Sequence, residues 1–417
     1  MALIDRFLAR AVKRGPLTVI GADGSTRSFG EPDPVLKPVT IRLKRGAGAA
    51  IVRDPSLGAA ESYMDGKLEI EQGDIFDLLN LVTANNLWEK SNAALNPTPL
   101  RRAVEAVTHR IGRYNMARRS KRNVAHHYDL SDRLYDLFLD ADRQYSCAYY
   151  TDPANSLEQA QADKKAHIAA KLALEPGMRV LDIGCGWGGM ALYLHEKTGA
   201  EVLGITLSEE QLKVARRRAA EAGVADKVRF ELIDYRALEG QFDRIVSVGM
   251  FEHVGPAFYP TFFRKCRELL TPEGVMLLHT IGRAGGPGVT DKFTMKYIFP
   301  GGYIPALSEI VRGYEGLRMF PTDVEVLRLH YGYTLKAWYD RTVAAHDEIV
   351  KLYDERFYRM WAYYLAGSCV SFLNGGLVNY QLQLSRSRDA LPITRDYMLE
   401  GEQALRGEGV APQRLRA

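Results

Sequence analysis

The sequence predicts an α/β protein with a doubly wound, mostly parallel sheet, preceded by a smaller N-terminal α+β domain. From residue 178 to about residue 283, short apolar runs alternate with helical patterns, and glycines follow the first run. This alternation is typical of a parallel sheet with helices on both faces. The residues before 95 instead combine an amphipathic helix with hairpin-like strands. A length of 417 residues is sufficient for two domains.

The bulk composition excludes several classes of protein. Apolar content of 46%, charged content of 25% and a net charge of +4 are ordinary for a globular chain and do not indicate a nucleic-acid partner. The four cysteines are far apart and lack metal-ligand spacing, which predicts a reduced, cytosolic chain without disulfides or a metal site. The first residues lack a signal-peptide pattern, and no run approaches the roughly 18 apolar residues of a membrane span.

The first 95 residues justify the small α+β domain element by element. In residues 1–14, Leu3, Ile4, Phe7 and Leu8 share one helical face, and basic residues occupy much of the other. "LTVIGADGSTRSFG" predicts a hairpin around its Gly-Ala-Asp-Gly turn, and "VTIRLKRG" predicts another strand. "DIFDLLNLVTANN" then has the apolar spacing of a helix.

A strongly basic stretch follows at residues 101–122. One acid, Glu105, faces eight cations: Arg101, Arg102, Arg110, Arg113, Arg118, Arg119, Lys121 and Arg122. We place a domain boundary here. The stretch is either a solvated linker helix or a contact for an acidic surface.

The regular α/β pattern begins with the strand "MRVLDI". In order, the predicted elements are the helix "GGMALYLHEKTG" ended by Gly199, the strand "EVLGIT", the helix "SEEQLKVARRRAAEAG" ended by Gly223, the strands "KVRFELI" and "DRIVSV", the helix "YPTFFRKCRELL" and the strand "VMLLHTI". After residue 283 we expect a glycine-rich loop and then mixed helices to the C-terminus.

The glycine loop "LDIGCGWGG" predicts a nucleotide-like ligand. Its spacing fits G-x-G-x-x-G, but the next strand ends at Thr206 without the acid that would bind the ribose of NAD. Asp182, two positions before Gly184, extends the motif to D-x-G-x-G-x-G, the first motif of class I methyltransferases. Asp234 and Tyr235 end the third strand, where an adenine contact is usual. Thr206 and Gln211 are candidate ribose contacts, although Ser208-x-x-Gln211 is also a capping box.

Several motifs in order resemble one family. "HHYDLSDRLYDLFLD", "QYSCAYY", "LDIGCGWGG", "GITLSEEQ", "MFEHVG", "LLHTIG" and "HYGYTLKAWY" together resemble the cyclopropane-fatty-acyl-phospholipid synthases and the related mycolic acid cyclopropane synthases. The resemblance runs from about residue 121 to about 385. "ESYMDGKLEIEQGDIFDLL" is similar to the N-terminal domain of the phospholipid-modifying members. The resemblance as a whole implies three parts. These are an N-terminal lipid- or membrane-associated domain over 1–100, a basic linker helix over 101–122, and a methyltransferase domain over 123–417 with helical acyl-chain-binding insertions after residue 283.

The resemblance also implies a reaction. A methylene group passes from S-adenosylmethionine to the cis double bond of an acyl chain in membrane phospholipid, through a carbocation, with bicarbonate as general base. The implied bicarbonate ligands are Cys147, Glu252, His279, the Ile281 backbone and Tyr331. The implied cofactor contacts are Tyr145, Ser146, Asp182, Gly184, Gly186, Gly188, Thr206, Leu207, Gln211, Asp234 and Tyr235.

Three other functions compete with this interpretation. A relative that stops at a methyl or methylene product shares the chemistry up to the cation. A non-catalytic lipid-binding protein would use the N-terminal domain without the cofactor loop, and an NAD oxidoreductase would use the loop alone. One departure concerns "YLAGSC", where Ser368 stands at the position of a family cysteine and Cys369 is displaced by one. We expect a cytoplasmic enzyme at the inner face of the membrane, in contact with anionic lipid, and a homodimer is left open.

Overall fold

The computed structural model describes residues 3–90 and 131–407. These residues form two compact units. The first contains residues 3–90, Val289–Pro300 and Gly332–Leu377, and the second contains residues 131–288, Gly301–Tyr331 and 378–407. The basic stretch 101–122 and the domain boundaries predicted at its ends lie outside the described residues, so those boundaries stay a prediction.

The first unit contains a four-stranded sheet that confirms the predicted hairpin. Its strands are β1 (Leu17–Ile20), β2 (Thr26–Phe29), β3 (Val39–Leu43) and β4 (Leu68–Gln72), in the order β2-β1-β3-β4. β1 pairs antiparallel with β2 and parallel with β3. The helices that accompany the sheet are α1 (Leu3–Ala11), α2 (Ala47–Arg53), α3 (Pro55–Met64) and α4 (Ile75–Ala84).

Helix α1 packs much of its apolar face within this unit. Leu8 and Ala11 are buried, and Ile4 lies against Gly48 at the start of α2. Leu3, at the other end, keeps 71% of its surface exposed. The acidic side chain of Asp5 is buried and accepts a hydrogen bond from Arg27 Nη1 at 2.7 Å.

The remaining elements are, in chain order, α5 (Asp132–Phe138), α6 (Leu157–Leu172), β5 (Arg179–Ile183), α7 (Gly189–Thr198), β6 (Glu201–Thr206), α8 (Glu209–Glu221), β7 (Val228–Leu232), β8 (Phe242–Val248), α9 (Tyr259–Leu269), β9 (Leu270–Arg283), α10 (Leu307–Tyr314), β10 (Phe320–Val326), α11 (His330–Ala344), α12 (His346–Leu352), α13 (Glu355–Leu373), β11 (Leu377–Ser385) and α14 (Asp396–Arg406). Within the first unit, α13 packs against α3 and α4. In the part of the chain that the structure describes, no helix combines the length and apolarity needed to cross a bilayer.

The second unit contains a seven-stranded sheet in the order β10-β11-β9-β8-β5-β6-β7. β5 pairs in parallel with β6 and β8, and β7 and β9 extend the parallel part on either side. β10 and β11 pair antiparallel. Because the chain reverses its direction of travel through the sheet between β5 and β8, a crevice opens there at the carboxyl ends of the strands.

The predicted turns and caps of this unit are confirmed. Gly199 ends α7 with φ +72°, and the Ser208 hydroxyl accepts from Gln211 N at 3.3 Å at the start of α8. The expectation of only helices after residue 283 is wrong, because β10 and β11 lie there. In β11 apolar residues alternate with Asn379, Gln381 and Gln383, and the amides of all three are buried. The alternation of apolar and amide residues is typical of a segment with one face in water, so the sequence did not indicate a strand buried on both faces.

Candidate active site

The glycine loop between β5 and α7 forms the floor of a cleft at the carboxyl end of the sheet. Gly184 and Gly186 adopt φ values of +84° and +55°, a backbone region that favours glycine. A Cβ on Gly184 would lie 2.9 Å from the Met250 Cβ, whereas a Cβ on Gly186 would meet no atom within 4 Å. The absence of a side chain on Gly184 therefore allows Met250 to pack closely against the loop. The absence of one on Gly186 leaves open space above the loop.

The structure brings most of the predicted cofactor residues together around this cleft. The predicted residues that line it are Tyr145, Ser146, Asp182, Gly184, Gly186, Thr206, Leu207, Gln211, Asp234 and Tyr235. Gly188 is not part of the lining. It caps the N-terminus of α7 with φ +86°, and a Cβ there would lie 2.7 Å from Phe230 Cζ.

The two candidate ribose contacts lie beside each other at the end of β6. Thr206 Oγ1 donates to Gln211 Oε1 at 3.0 Å, and both residues are buried. The Gln211 backbone N–H also donates to the Ser208 side chain that caps α8, so one residue both completes the cap and lines the cleft. Its side chain turns to Thr206 and the cleft rather than back to the cap.

The opposite wall contains the candidate adenine contacts. Asp234 pairs with Arg236 at 2.6 Å, and the Tyr235 ring meets Phe262 edge-on at 5.4 Å between centroids. Burial raises the pKa of Tyr235, so its hydroxyl stays protonated. An aromatic face and a carboxylate are suited to the face and the amino edge of a purine.

Asp182 lies at the base of the cleft and is 2% exposed. Its Oδ2 atom has no hydrogen-bond partner among the described residues. Burial raises the pKa of this carboxyl to about 7, although the positive charge of Lys164 lowers it.

Sequence reasoning missed several lining residues, including Arg143, Gln144 and His253. Burial lowers the pKa of His253 to about 4, so a neutral imidazole lines the wall.

Glu252 is the most distinctive of the five catalytic candidates. Its carboxyl is buried, and Oε1 accepts from the Ile281 backbone N–H at 2.6 Å. Oε2 is buried without a hydrogen-bond partner among the described residues. Burial raises the pKa of Glu252. The Ile281 amide, expected to face the ion, therefore donates to Glu252 in this structure.

His279 is buried between two amide side chains of β11. Its Nε2 lies 2.7 Å from the Asn379 amide, and its Nδ1 lies 3.1 Å from the Gln381 amide. Burial lowers its pKa well below the usual value, so the ring is neutral. The amide atom nearest each ring nitrogen is a nitrogen, which can only donate, and a neutral imidazole accepts at one nitrogen only. For the ring N–H to be bonded, one of the two amides must present its oxygen instead.

Cys147 and Tyr331 are both buried, and neither lines the cleft. Their segments are adjacent, because Tyr150 N donates to His330 Nδ1 at 2.9 Å. Cys369 is fully buried in the first unit, where its thiol donates to Gly332 O at 3.2 Å. Burial raises the pKa of Cys369 to about 12, which disfavours the thiolate that a nucleophile would need.

Comparison with known proteins agrees with this geometry. Residues 115–382 match the family model described as mycolic acid cyclopropane synthetase. The cyclopropane-fatty-acyl-phospholipid synthase of Escherichia coli K12 is 40% identical over 352 residues, which cover 84% of this chain and 88% of that protein. The chain belongs to the mycolic acid cyclopropane synthetase family.

Further similarities fit the same family. A tuberculostearic acid methyltransferase of Mycobacterium tuberculosis is 35% identical over 92% of this chain and 91% of its own length. A crystal structure of a mycolic acid cyclopropane synthase complexed with SAH and CTAB has a TM-score of 0.61 and 34% identity, and covers 64% of this chain and 98% of its own. Fold and family together make this chain an S-adenosylmethionine-dependent methyltransferase of the cyclopropane synthase type.

Proposed function

We propose that the chain transfers a methylene group from S-adenosylmethionine to the cis double bond of an unsaturated acyl chain in membrane phospholipid and forms a cyclopropane ring. The observation that carries the proposal is the buried Glu252 carboxyl, one oxygen of which has no hydrogen-bond partner among the described residues. An unpaired acid in a low-dielectric site costs free energy unless a ligand or a proton satisfies it. A base site close to a methyl-donor cleft explains why such a residue is present.

The cleft fits S-adenosylmethionine through groups of matching chemistry. The open space above Gly186 admits a ligand close to the backbone, Thr206 and Gln211 present polar atoms for the ribose, and Asp234 with Tyr235 suits the adenine. S-adenosylmethionine, when bound, supplies an electrophilic methyl group.

The residues around Glu252 fit bicarbonate. As a carboxylate, Glu252 presents an unpartnered oxygen that can accept a hydrogen bond from the O–H of bicarbonate. We propose Glu252, the Ile281 backbone, Cys147, His279 and Tyr331 as the residues that hold the ion. Bicarbonate, when bound, supplies the base that removes a proton from the newly added methyl group. Glu252 positions that base by accepting its hydrogen and does not itself take the proton from the methyl group.

A second product is favoured by one relative. The tuberculostearic acid methyltransferase is similar to 92% of this chain. An enzyme of that kind methylates a fatty acyl chain and would end at a methyl or methylene group. Ring closure and formation of a methylene product both require a base to remove a proton from the added methyl, so the unpartnered Glu252 oxygen supports a base site and the product analysis decides between the two.

The test is the structure of the lipid product. Purified enzyme is incubated with methyl-labelled S-adenosylmethionine and vesicles of unsaturated phospholipid, and the lipid is extracted for proton NMR. High-field cyclopropane protons are expected. Vinylic protons would identify a methylene product, and an absence of label in the lipid would overturn the proposal.

A further inference from the structure

Helix α6 buries a lysine completely. Lys164 is 0% exposed in the middle of Leu157–Leu172, and Gln161 on the preceding turn is 1% exposed. A lysine is almost never fully buried unless its ammonium is paired or hydrogen-bonded. The partners of this ammonium therefore indicate why it is there.

Those partners belong to the loop that forms one wall of the cofactor cleft. Lys164 Nζ donates to Gln144 Oε1 at 2.6 Å and to Ser146 Oγ at 2.9 Å. Gln161 Nε2 donates to the backbone carbonyls of the same two residues, at 3.1 and 3.0 Å. Gln144 and Ser146 both line the cleft, as does Tyr145 between them. Two side chains of α6 thus fix both the backbone and the side chains of one short loop.

The charge of Lys164 is opposed by buried carboxyls. Asp140, Asp142 and Asp182 attract it, and Lys165 repels it. Burial lowers the pKa of Lys164 to about 8, which leaves most of the population charged at neutral pH. The cation also partly offsets the effect of burial on Asp182 at the base of the cleft. Lys164 therefore acts on the cleft from behind, without lining it.

We propose that Lys164 is a positioning residue for S-adenosylmethionine: its ammonium holds Gln144 and Ser146 against the cofactor cleft and balances the charge of Asp182. The inference rests on the proposed cofactor site and adds a residue that the site itself does not contain. Its loss should weaken cofactor binding more than lipid binding, because the loop that it holds lines the cofactor cleft. A charge-assisted hydrogen bond is stronger than a neutral one.

The experiment measures binding of S-adenosylhomocysteine to the full chain by isothermal titration calorimetry. Lys164→Met removes the ammonium, and Lys164→Gln keeps a shorter neutral donor. We expect the Kd to rise about tenfold or more for Met, the order expected when hydrogen bonds to a charged group are lost, and less for Gln. In assays the KM for S-adenosylmethionine should rise while the KM for lipid stays unchanged.

Lys165→Gln is the matched control. Lys165 is the next residue of the same helix and pairs with Asp142 at 2.5 Å, but Asp142 keeps a second partner in Arg218. This variant should bind like the wild type. Ser146→Ala combined with Lys164→Met should cost less than the sum of the single changes, since the lysine acts partly through that hydroxyl.

The outcomes separate the two proposals. Wild-type protein that does not bind S-adenosylhomocysteine would overturn the proposed cofactor site itself. If the wild type binds S-adenosylhomocysteine and both Lys164 variants bind it with the same affinity, only the positioning role is overturned. If both variants fail to fold, or if the two KM values rise together, Lys164 is a structural residue and the inference is wrong.

Discussion

The Glu252 carboxyl has one oxygen on the Ile281 amide and the other without a partner among the described residues. Glu252→Gln keeps the size and the contact with Ile281 but replaces the accepting oxygen Oε2 by an amide nitrogen that can only donate. We expect kcat to fall roughly 10²- to 10⁴-fold, the range for loss of positioned acid–base assistance. The Kd for S-adenosylhomocysteine should stay near that of the wild type, because Glu252 does not line the cofactor cleft.

A bicarbonate-depleted assay supplies the control for that prediction. Adding bicarbonate should restore the rate of the wild-type enzyme and have a much smaller effect on Glu252→Gln. Full activity of thoroughly degassed wild-type enzyme would contradict the proposed base.

The two glycines of the loop should respond differently to the same change. Gly186→Val places a side chain in open space with φ +55°, so we expect a moderate loss of stability and more than a tenfold rise in the Kd for S-adenosylhomocysteine. Gly184→Val meets the Met250 side chain at 2.9 Å and should mainly lower the free energy of unfolding. Calorimetric titration and chemical denaturation of both variants distinguish these effects. Equal affinity of Gly186→Val and wild type would remove Gly186 from the site.

Residues of the cleft floor were predictable because a local motif specifies them. Asp182, Gly184 and Gly186 lie within a few positions of one another, and the strand before them is marked by its apolar run. Lys164 was not predictable, since a lysine in a helix normally marks the solvent face. The partners of His279 are on β11, about 100 positions along the chain, and no local pattern connects them.

Helices α6 and α14 and strand β10 meet in a buried cluster of charges. His167 contacts Glu325 at 2.7 Å and Glu402 at 2.8 Å, and Lys171 contacts Asp323 at 2.9 Å and Glu325 at 2.5 Å. Burial alone would lower the pKa of His167, but its hydrogen bonds to the two glutamates raise it above 6.5. Burial would raise the pKa of Glu325, but His167 and Lys171 lower it to about 2.

This cluster predicts how stability depends on pH. The His167 contribution is complete below pH 6.5, its unfolded value, and is lost as pH rises through the higher folded value. The Glu325 contribution is present above pH 4.5 and is lost as pH falls towards 2. Urea unfolding should therefore show a larger contribution from the cluster at pH 5.5 than at pH 8.5.

The matched variant is His167→Gln, which keeps polarity but does not titrate. Its free energy of unfolding should fall less between pH 5.5 and 8.5 than that of the wild type. Parallel pH profiles for the two proteins would show that folding does not shift the pKa of His167.

At the level of elements, apolar strands were more predictable than polar ones. β5, β6, β8 and β9 contain apolar runs and were expected at these places along the chain, although their order in the sheet was not predicted. β11 was missed because Asn379, Gln381 and Gln383 occupy alternate positions that usually face water. The amide nitrogens of these residues contact His279 and the Lys171 carbonyl, so long-range polar contacts, rather than apolar burial alone, place that face of the strand.

The whole protein must reach acyl chains that lie in a bilayer, if the proposed substrate is correct. Helix α1 offers less apolar surface for insertion into a bilayer than the spacing of its apolar residues suggested, because Leu8 and Ala11 are buried within the first unit. Leu3 stays exposed, at 71%. The basic stretch 101–122 lies outside the described residues, and its eight cations remain the strongest sequence-based candidate for contact with anionic lipid.

We predict that charge on this stretch controls membrane binding. Each cation near an anionic leaflet contributes about 1 kcal/mol, and salt screens the attraction. In vesicle sedimentation, the wild type should bind anionic vesicles tightly, bind neutral vesicles weakly, and be released at high salt. Replacing Arg118, Arg119, Lys121 and Arg122 by glutamine should weaken binding to anionic vesicles, while the thermal unfolding temperature and the affinity for S-adenosylhomocysteine stay unchanged.

A second variant, Arg6→Gln with Arg10→Gln, removes two cations from the exposed side of α1 and tests the first helix in the same vesicle-sedimentation assay. If the four-residue variant sediments like the wild type, the docking surface lies elsewhere, and a loss confined to the α1 variant would place it on that helix.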